Sequence, residues 1–330
     1  MKPNSISWTP LHAQLHQILR SHQLLPKNKS ILVAVSGGQD SLCLIQFLLD
    51  LQPKWGWNLA IAHGDHGWRN DSKANANYIK KLAETWQIPF YLLTASDLDK
   101  TESAARKWRY QALAEVAQNH QYDYVVTGHT KSDRAETLLY NLIRGSGADG
   151  LQALSWQRPL QLQGKTVATL VRPLLEMTRS QTGEFCQQRQ LKIWQDSTNS
   201  DLNYARNRIR QELIPYLQTH FNPQVELALA QTVELLQADV EYLEQQTQSL
   251  YQQAVSVEPL KINRIILRSV SLALQRRVMR KILIQILPKA PNFNQIEKLT
   301  ALISAPNRSQ TDPFPGGAIA RVEQDWIILS

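Results

Sequence analysis

The sequence predicts an α/β fold: a doubly wound parallel sheet, followed by a helical linker and a small C-terminal domain. Three observations carry that reading. Short continuous apolar runs alternate with amphipathic helical stretches over the first half of the chain. The first run ends in a glycine-containing turn, SGGQDS, that opens a helix. After residue 196 the pattern changes to long helices rich in Gln, Glu and Leu, with no glycine between 223 and 254.

The elements follow in order. Residues 31–35 (ILVAV) form an apolar run of the kind buried on both faces of a parallel sheet, and a helix follows from about 41 to 51. Strand-like runs recur at 59–62, 90–94, 124–127 and 167–171. Helical spacing falls between them at 73–87, 103–119 and 131–142. Strands alternating with helices imply βαβ units. The segment around Gly164 reads as a hairpin turn, and its GKT lacks the glycine, replaced by Pro159, that a Walker loop needs. Helices are expected at 204–217 and 223–254, then over LALQRRVMRKILIQIL and FNQIEKLTALIS, before a final turn and two strand-like runs. The domain boundary is expected near 220, giving 1–219 as a catalytic domain and 220–330 as a linker helix with a small C-terminal domain.

Composition narrows the class. A chain of 330 residues with 43% hydrophobic and 19% charged residues is expected to be globular and to hold two domains. The N-terminal stretch lacks a continuous apolar signal core, and no segment approaches the ~20 apolar residues needed to span a bilayer. No membrane role is expected. Cys43 and Cys186 are the only cysteines, which excludes a disulfide framework and fits a reducing cytoplasm. A formal net charge of +8 points to a polyanionic partner.

The chemistry is expected beyond the carboxyl ends of the strands, where glycine lets backbone amides approach an anion and a helix points its positive end at it. Ser36, Gly37, Gly38 and Ser41 supply amide and hydroxyl donors at that place. Asp40 beside phosphates would repel them without a divalent cation, so it predicts Mg²⁺. Asp133 stands four residues after His129, a spacing that puts both on one side of a helix entering the crevice. Asp133 is the second candidate Mg²⁺ ligand. His63, Asp65 and His66 lack a suitably spaced fourth ligand for zinc.

The form SGGQDS resembles the N-type ATP pyrophosphatase (PP-loop) family, whose members cleave ATP to AMP and pyrophosphate. The resemblance implies that Ser36, Gly37, Gly38, Gln39, Asp40 and Ser41 grip ATP, with His63 and His66 lining the nucleotide pocket. Further motifs follow in order: AHGDHGWR (62–69), ARKWRY (105–110), TGHTKSDRAET (127–137), RGSGADGL (144–151), RPLL (172–175), DSTN (196–199) and RNRIR (206–210). This set is similar to the tRNA(Ile)-lysidine synthase family, in its short form, over roughly 28–215. Gly64 and Trp68 depart from that family's pattern, which has an apolar residue and Leu there.

The resemblance implies a two-step ligation. ATP adenylates the oxygen on carbon 2 of the wobble cytidine in the CAU anticodon of tRNA(Ile), and free L-lysine then attacks carbon 2 and expels AMP, so the codon read becomes AUA. Arg109 and Arg210 are expected to stabilise charge or steer the cytidine. His129 and Glu136 are alternative bases for the incoming amine, whose ordinary pKa is ~10.4. Arg206, Arg208, Arg276, Arg277, Arg280 and Lys281 are candidate tRNA contacts, against the alternative that helix charges are simply solvated. A homodimer is left open. The rivals are a tRNA thiolase of the same fold, which would want paired catalytic cysteines, and a silent RNA-binding module, against which Asp40, His129 and Asp133 speak.

Overall fold

A computed structural model of the chain describes residues 8–68, 71–95, 98–99, 101–194 and 201–330. They divide into two compact units, Met1–Glu234 and Leu235–Ser330. The DSTN motif and Arg69 lie outside the described residues.

The first unit opens with α1 (Pro10–Ser21), then β1 (Ser30–Ala34), α2 (Gln39–Trp55), β2 (Asn58–Asp65), α3 (Ser72–Trp86), β3 (Phe90–Thr94), α4 (Glu102–Asn119), β4 (Tyr124–Thr127) and α5 (Lys131–Ile143). A short α6 (Ala148–Leu151) leads into the hairpin of β5 (Gln157–Leu162) and β6 (Lys165–Val171), followed by α7 (Arg179–Gln188). The six strands lie in the order β3-β2-β1-β4-β6-β5, parallel except for β5, which runs antiparallel to β6. Strand order therefore reverses between β1 and β4, which makes their carboxyl ends the crevice where such sheets bind ligands.

Both faces of the sheet are covered. Ile31, Val33, Leu59, Ile61 and Val126 join the core cluster shared with α2, while Leu32, Ala60, Ala62 and Val125 join that under α4. That alternation explains why β1, β2 and β4 read as unbroken apolar runs. Cys43 and Cys186 are both buried and free.

After α7 come α8 (Ala205–Arg208), a π-helical turn over Ile209–Leu213 and α9 (Ile214–His220). The sequence reads this as one regular helix; the structure inserts a wide turn at its centre. The helix α10 (Val225–Ala254) crosses the division between the units. Its first turns are tied to the first unit, where Glu234 pairs with Arg134 at 2.7 Å and accepts from Trp156 at 3.1 Å.

The second unit contains β7 (Val255–Val257), β8 (Leu260–Asn263), α11 (Arg264–Arg268), α12 (Leu272–Ile286), α13 (Phe293–Ala301), β9 (Ala320–Glu323) and β10 (Trp326–Leu329). Its strands form an antiparallel sheet in the order β7-β8-β10-β9, with Ile262, Val322 and Ile327 packed on Val278, Ile282 and Leu299 of the helices. No helix among the described residues is long and apolar enough to cross a membrane.

Candidate active site

The glycine turn sits where the sheet reverses. Gly38 caps α2 with extended backbone and offers no side-chain cap, so the first amides of α2 keep their donors for an anion. Gly37 has φ +92°, and a Cβ there would stand 2.6 Å from Asn75 Oδ1. Only glycine fits that backbone and that space. The serines brace the turn: Ser36 N donates to Ser41 Oγ at 3.1 Å, and Ser41 Oγ donates to the Gly38 carbonyl at 2.9 Å. Trp194 N donates to the Gly37 carbonyl at 2.9 Å, and Asn75 Nδ2 to the Ser36 carbonyl at 3.0 Å.

From across the crevice, Gly128 passes directly beneath the start of α2. A Cβ on it would lie 2.8 Å from the Asp40 carbonyl oxygen and 3.0 Å from Ser41 N, both backbone atoms. The β4 loop can approach the phosphate-type turn only because this residue has no side chain.

Asp40 is held by α7. Thr182 Oγ1 donates to its carboxylate through a short hydrogen bond, and Arg179 lies 3.5 Å away. Gln39 Nε2 donates to the Arg179 carbonyl at 2.6 Å, which locks the two helices together. Burial pushes the Asp40 carboxyl above its usual range; Arg179 opposes this and Asp133 adds to it. Thr182 and Arg179 come from about 140 residues away, and the sequence reading missed both.

The second carboxylate is fixed differently. Thr130 is the N-cap of α5, and Asp133 closes a capping box by accepting from Thr130 N at 2.7 Å and Thr130 Oγ1 at 2.9 Å through Oδ2. Its Oδ1 is 3.6 Å from Arg210. Arg210, on the π-helical turn, forks onto the buried Glu136 with bonds of 2.6 and 2.7 Å. Burial lifts the Glu136 carboxyl above its ordinary value despite that partner. A π-turn at a functional side chain is a common use of this irregularity, since the extra residue turns Arg210 toward α5.

His129 corrects the helical expectation. The helix begins at Lys131, so His129 precedes the cap instead of sharing a helix face with Asp133. Thr130-x-x-Asp133 is itself a cap signature that marks this boundary. The His129 ring shares a 2.8 Å hydrogen bond with Thr127 Oγ1, and burial pushes it down to about 3. It is a neutral imidazole at physiological pH. Asp133 opposes that shift, and Arg172, Arg106 and Arg109 reinforce it.

An arginine cluster backs the site. Arg172 is buried and donates to the Ser155 carbonyl at 2.7 Å. Arg158 and Arg106 lie 4.8 and 5.5 Å from the Tyr110 ring. Burial would raise the Tyr110 phenol, but Arg172 and Arg106 outweigh it and the net direction is down. Arg109, exposed on α4, reaches His66 Nε2 at 3.4 Å. Its guanidinium stays charged.

The β2 loop contributes less directly than the motif suggests. His63 Nδ1 donates to the Val35 carbonyl at 2.7 Å, tying β2 to the end of β1. Asp65 accepts from Gly67 N at 2.8 Å. The His66 ring lies 4.7 Å from Trp108 and 5.4 Å from Trp68. Gly64 has the Trp108 ring 3.4 Å from its would-be Cβ, so this chain fills with Trp108 the space an apolar residue at 64 would use.

The basic candidates fall into two groups. In the first unit, Arg206 pairs with Glu102 at 3.0 Å, and Arg208 donates to the Leu202 carbonyl at 2.6 Å. In the second, Arg276 forks onto Glu297 at 2.6 and 2.8 Å. Arg277 and Lys281 share Glu244 at 3.9 and 3.3 Å. Arg280, on the same helix, is half-buried. Much of the α12 charge is thus matched within its own unit.

Comparison with known proteins agrees with this architecture. Residues 9–217 match the PP-loop domain family, and 263–328 match the TilS substrate binding domain. The chain is 65% identical to the tRNA(Ile)-lysidine synthase of Nostoc sp. PCC 7120, covering 98% of this chain and 97% of that one. It is 52% identical to the protein of the same name from Synechocystis sp. PCC 6803, with 98% of both covered. Among solved structures, the U34-tRNA thiolase NcsA from Methanococcus maripaludis superposes with a TM-score of 0.58 at 17% identity, over 69% of this chain and 80% of that one, a likeness of fold. On its sequence, its paired domains and its site, the chain belongs to the tRNA(Ile)-lysidine synthase family.

Proposed function

We infer that this chain ligates free L-lysine to carbon 2 of the wobble cytidine of CAU-anticodon tRNA(Ile) at the expense of ATP, forming lysidine, AMP and pyrophosphate. The observation that carries the reading is the convergence at one crevice of the open α2 amides, two carboxylates on opposite sides, and the Arg210–Glu136 fork.

Each residue has a task. The amides after Gly38 and the Ser36 hydroxyl hold the phosphates of ATP, on a turn that Ser41 braces. Arg109, with Arg106 and Arg172 behind it, faces the charge that gathers as pyrophosphate leaves. Asp40 and Asp133 suit Mg²⁺, a hard cation that takes one or two carboxylates plus phosphate oxygens. The lift that Asp133 gives Asp40 is the repulsion such a cation relieves. When bound, Mg²⁺ supplies neutralisation of phosphate charge.

Asp133 and Glu136 supply the negative surface for the lysine ammonium. With its pKa pushed to about 3, His129 is too weak a base to take a proton from an ammonium of ~10. Glu136, buried and still holding spare lone pairs beyond the Arg210 fork, is the carboxylate placed beside the lysine ammonium to receive its proton. His129 acts as a neutral hydrogen-bonding group beside the nucleotide. The C-terminal unit is assigned to holding tRNA, a role the description of its matched domain supports.

The test is incorporation of labelled lysine into a CAU-bearing tRNA(Ile) transcript with purified protein and Mg-ATP. Incorporation that requires ATP, CAU and Asp40 supports the reading. AMP and pyrophosphate without lysine incorporation would leave only the adenylation half.

A further inference from the structure

Beside the crevice lies a cleft of about 750 Å³ between α5 and the α8–α9 segment. Tyr140, Ile143 and Arg144 form one wall, and Arg208, Glu212 and Tyr216 stand on the other. It shares α5 and the π-turn with the site. Tyr140 and Arg144 follow Glu136 by four and eight residues on one helix face, about 6 and 12 Å along its axis. Arg210, whose fork holds Glu136, sits on the π-turn that supplies the opposite wall through Ile209, Glu212 and Leu213.

The floor of the cleft is aliphatic, from Ile143, Ala205, Ile209 and Leu213, and two tyrosines and two arginines stand around it. Arg144 stacks 5.2 Å from the Tyr140 ring and donates to its hydroxyl at 2.6 Å; Arg206 lies over the same ring at 5.6 Å. Tyr216 is 55% exposed, and its ring continues into His220 at 4.5 Å and Phe221 at 6.0 Å. With Leu142 and Ile143 also exposed, these rings belong to an apolar patch of the kind that marks interaction sites. Exposed aromatic faces interleaved with arginines are the surface that unpaired nucleotides occupy, bases on rings and phosphates on guanidinium groups. Glu212 adds one carboxylate at the rim, an acceptor for an exocyclic amine.

We propose that this cleft holds the middle base of the anticodon, the adenine next to the wobble cytidine, stacked on Tyr216 with its amine on Glu212 and its backbone against Arg144 and Arg208. The inference rests on the tRNA reading above. It deepens that reading by assigning part of the choice of CAU to a place in the fold. Uracil, the third base of the triplet, has no exocyclic amine for Glu212 to accept. The cleft reaches one to two helical turns from Glu136, so a base seated there leaves the wobble cytidine beside the catalytic carboxylates.

The experiment measures binding of fluorescent anticodon stem-loop hairpins to the full chain by anisotropy. Three hairpins are used: CAU, the same with an abasic middle position, and the same with purine replacing adenine. The wild-type chain is expected to lose roughly 5- to 150-fold on the abasic hairpin, the range of one base–aromatic stack. Tyr216→Ala should lose similarly on the CAU hairpin and then be indifferent to the abasic change, whereas Tyr216→Phe should behave as wild type. Glu212→Ala, which removes the acceptor, should bind adenine and purine hairpins alike. Unfolding temperatures check that the variants are folded. If Tyr216→Ala binds the CAU hairpin as tightly as wild type, or still suffers the full abasic penalty, the assignment is wrong. It also fails if sedimentation shows that Tyr216→Ala instead dissociates a dimer. Absence of lysine incorporation by the wild-type chain would sink the functional reading separately, since the hairpin arms need no turnover.

Discussion

Replacing Gly128 by alanine tests how the two strand ends are fitted together. Its new Cβ would stand 2.8 Å from the Asp40 carbonyl oxygen and 3.0 Å from Ser41 N, against ordinary contact at 3.4 Å or more. The atoms in the way are backbone of the first turn of α2, so no side chain can swing aside. Overpacking of this kind costs about 1–3 kcal/mol, offset by about 0.4–1 kcal/mol because alanine restricts the unfolded chain. The cheapest relief is to push the start of α2 away by about 0.6 Å, which moves the amides that face the phosphates. If about 1–2 kcal/mol appears as lost ATP affinity, the dissociation constant rises roughly 5- to 30-fold. Isothermal titration with Mg-ATP reads this directly, with Gly147→Ala in parallel because nothing lies within 4 Å of its Cβ. Gly128→Ala binding within twofold of wild type would refute the claim that this close approach shapes the site.

Three further outcomes follow from the same geometry. Arg210→Ala strips the fork from a Glu136 that is almost wholly buried, a change worth 3–5 kcal/mol for fully buried pairs. With Arg210 a quarter exposed, about 2–3 kcal/mol of stability should be lost in urea unfolding, mostly recovered in the Arg210→Ala, Glu136→Ala double variant; a loss below about 1 kcal/mol contradicts the pairing. His129 should show no NMR titration above about pH 4, because burial holds it near 3, whereas an inflection near 6.5 would place it in solvent. Asp40 has a folded value raised above 3.8, so its ionisation opposes folding from that pH upward, more so until the folded value is passed and constantly thereafter. Asp40→Asn should therefore raise the unfolding temperature of the nucleotide-free protein at pH 7 while ending ATP turnover; a lower unfolding temperature would reverse the sign of the argument.

What was legible in the sequence follows local rules. Strands β1 to β4 are buried on both faces, so they appear as apolar runs between helical spacings. Strand β5 was missed because QRPLQL is an antiparallel edge, half-exposed and carrying Pro159, with little apolar signal. Strands β7 and β8 have three and four residues, and β8 is defined by pairing with β10, more than sixty positions later. The π-turn leaves no mark in composition, so 204–217 reads as plain helix. Among site residues, the glycine turn, Asp40, Asp133 and Glu136 were legible because each lies at a strand end or on a quoted motif. Thr182 and Arg179 were not, since their role exists only once α7 packs on α2. The helix start expected at 131 matches the structure; what fails is counting His129 onto its face, since the Thr130 cap leaves it outside the helix. Gly128 stood inside a recognised motif, but its reason, the backbone of Asp40 beneath it, is a tertiary fact.

The most direct test of the whole account follows the oxygen on carbon 2 of the wobble cytidine. That oxygen is proposed to attack the α-phosphate of ATP, to be bonded to it as pyrophosphate leaves, and to depart with AMP when lysine takes its place on carbon 2. A CAU tRNA(Ile) carrying ¹⁸O at that position, converted by the purified protein with lysine and Mg-ATP, should yield AMP bearing the label in its phosphate, in step with lysidine formed. Unlabelled AMP would mean that ATP is cleaved by water or activates another atom, and the adenylated-cytidine mechanism built on this crevice would have to be abandoned.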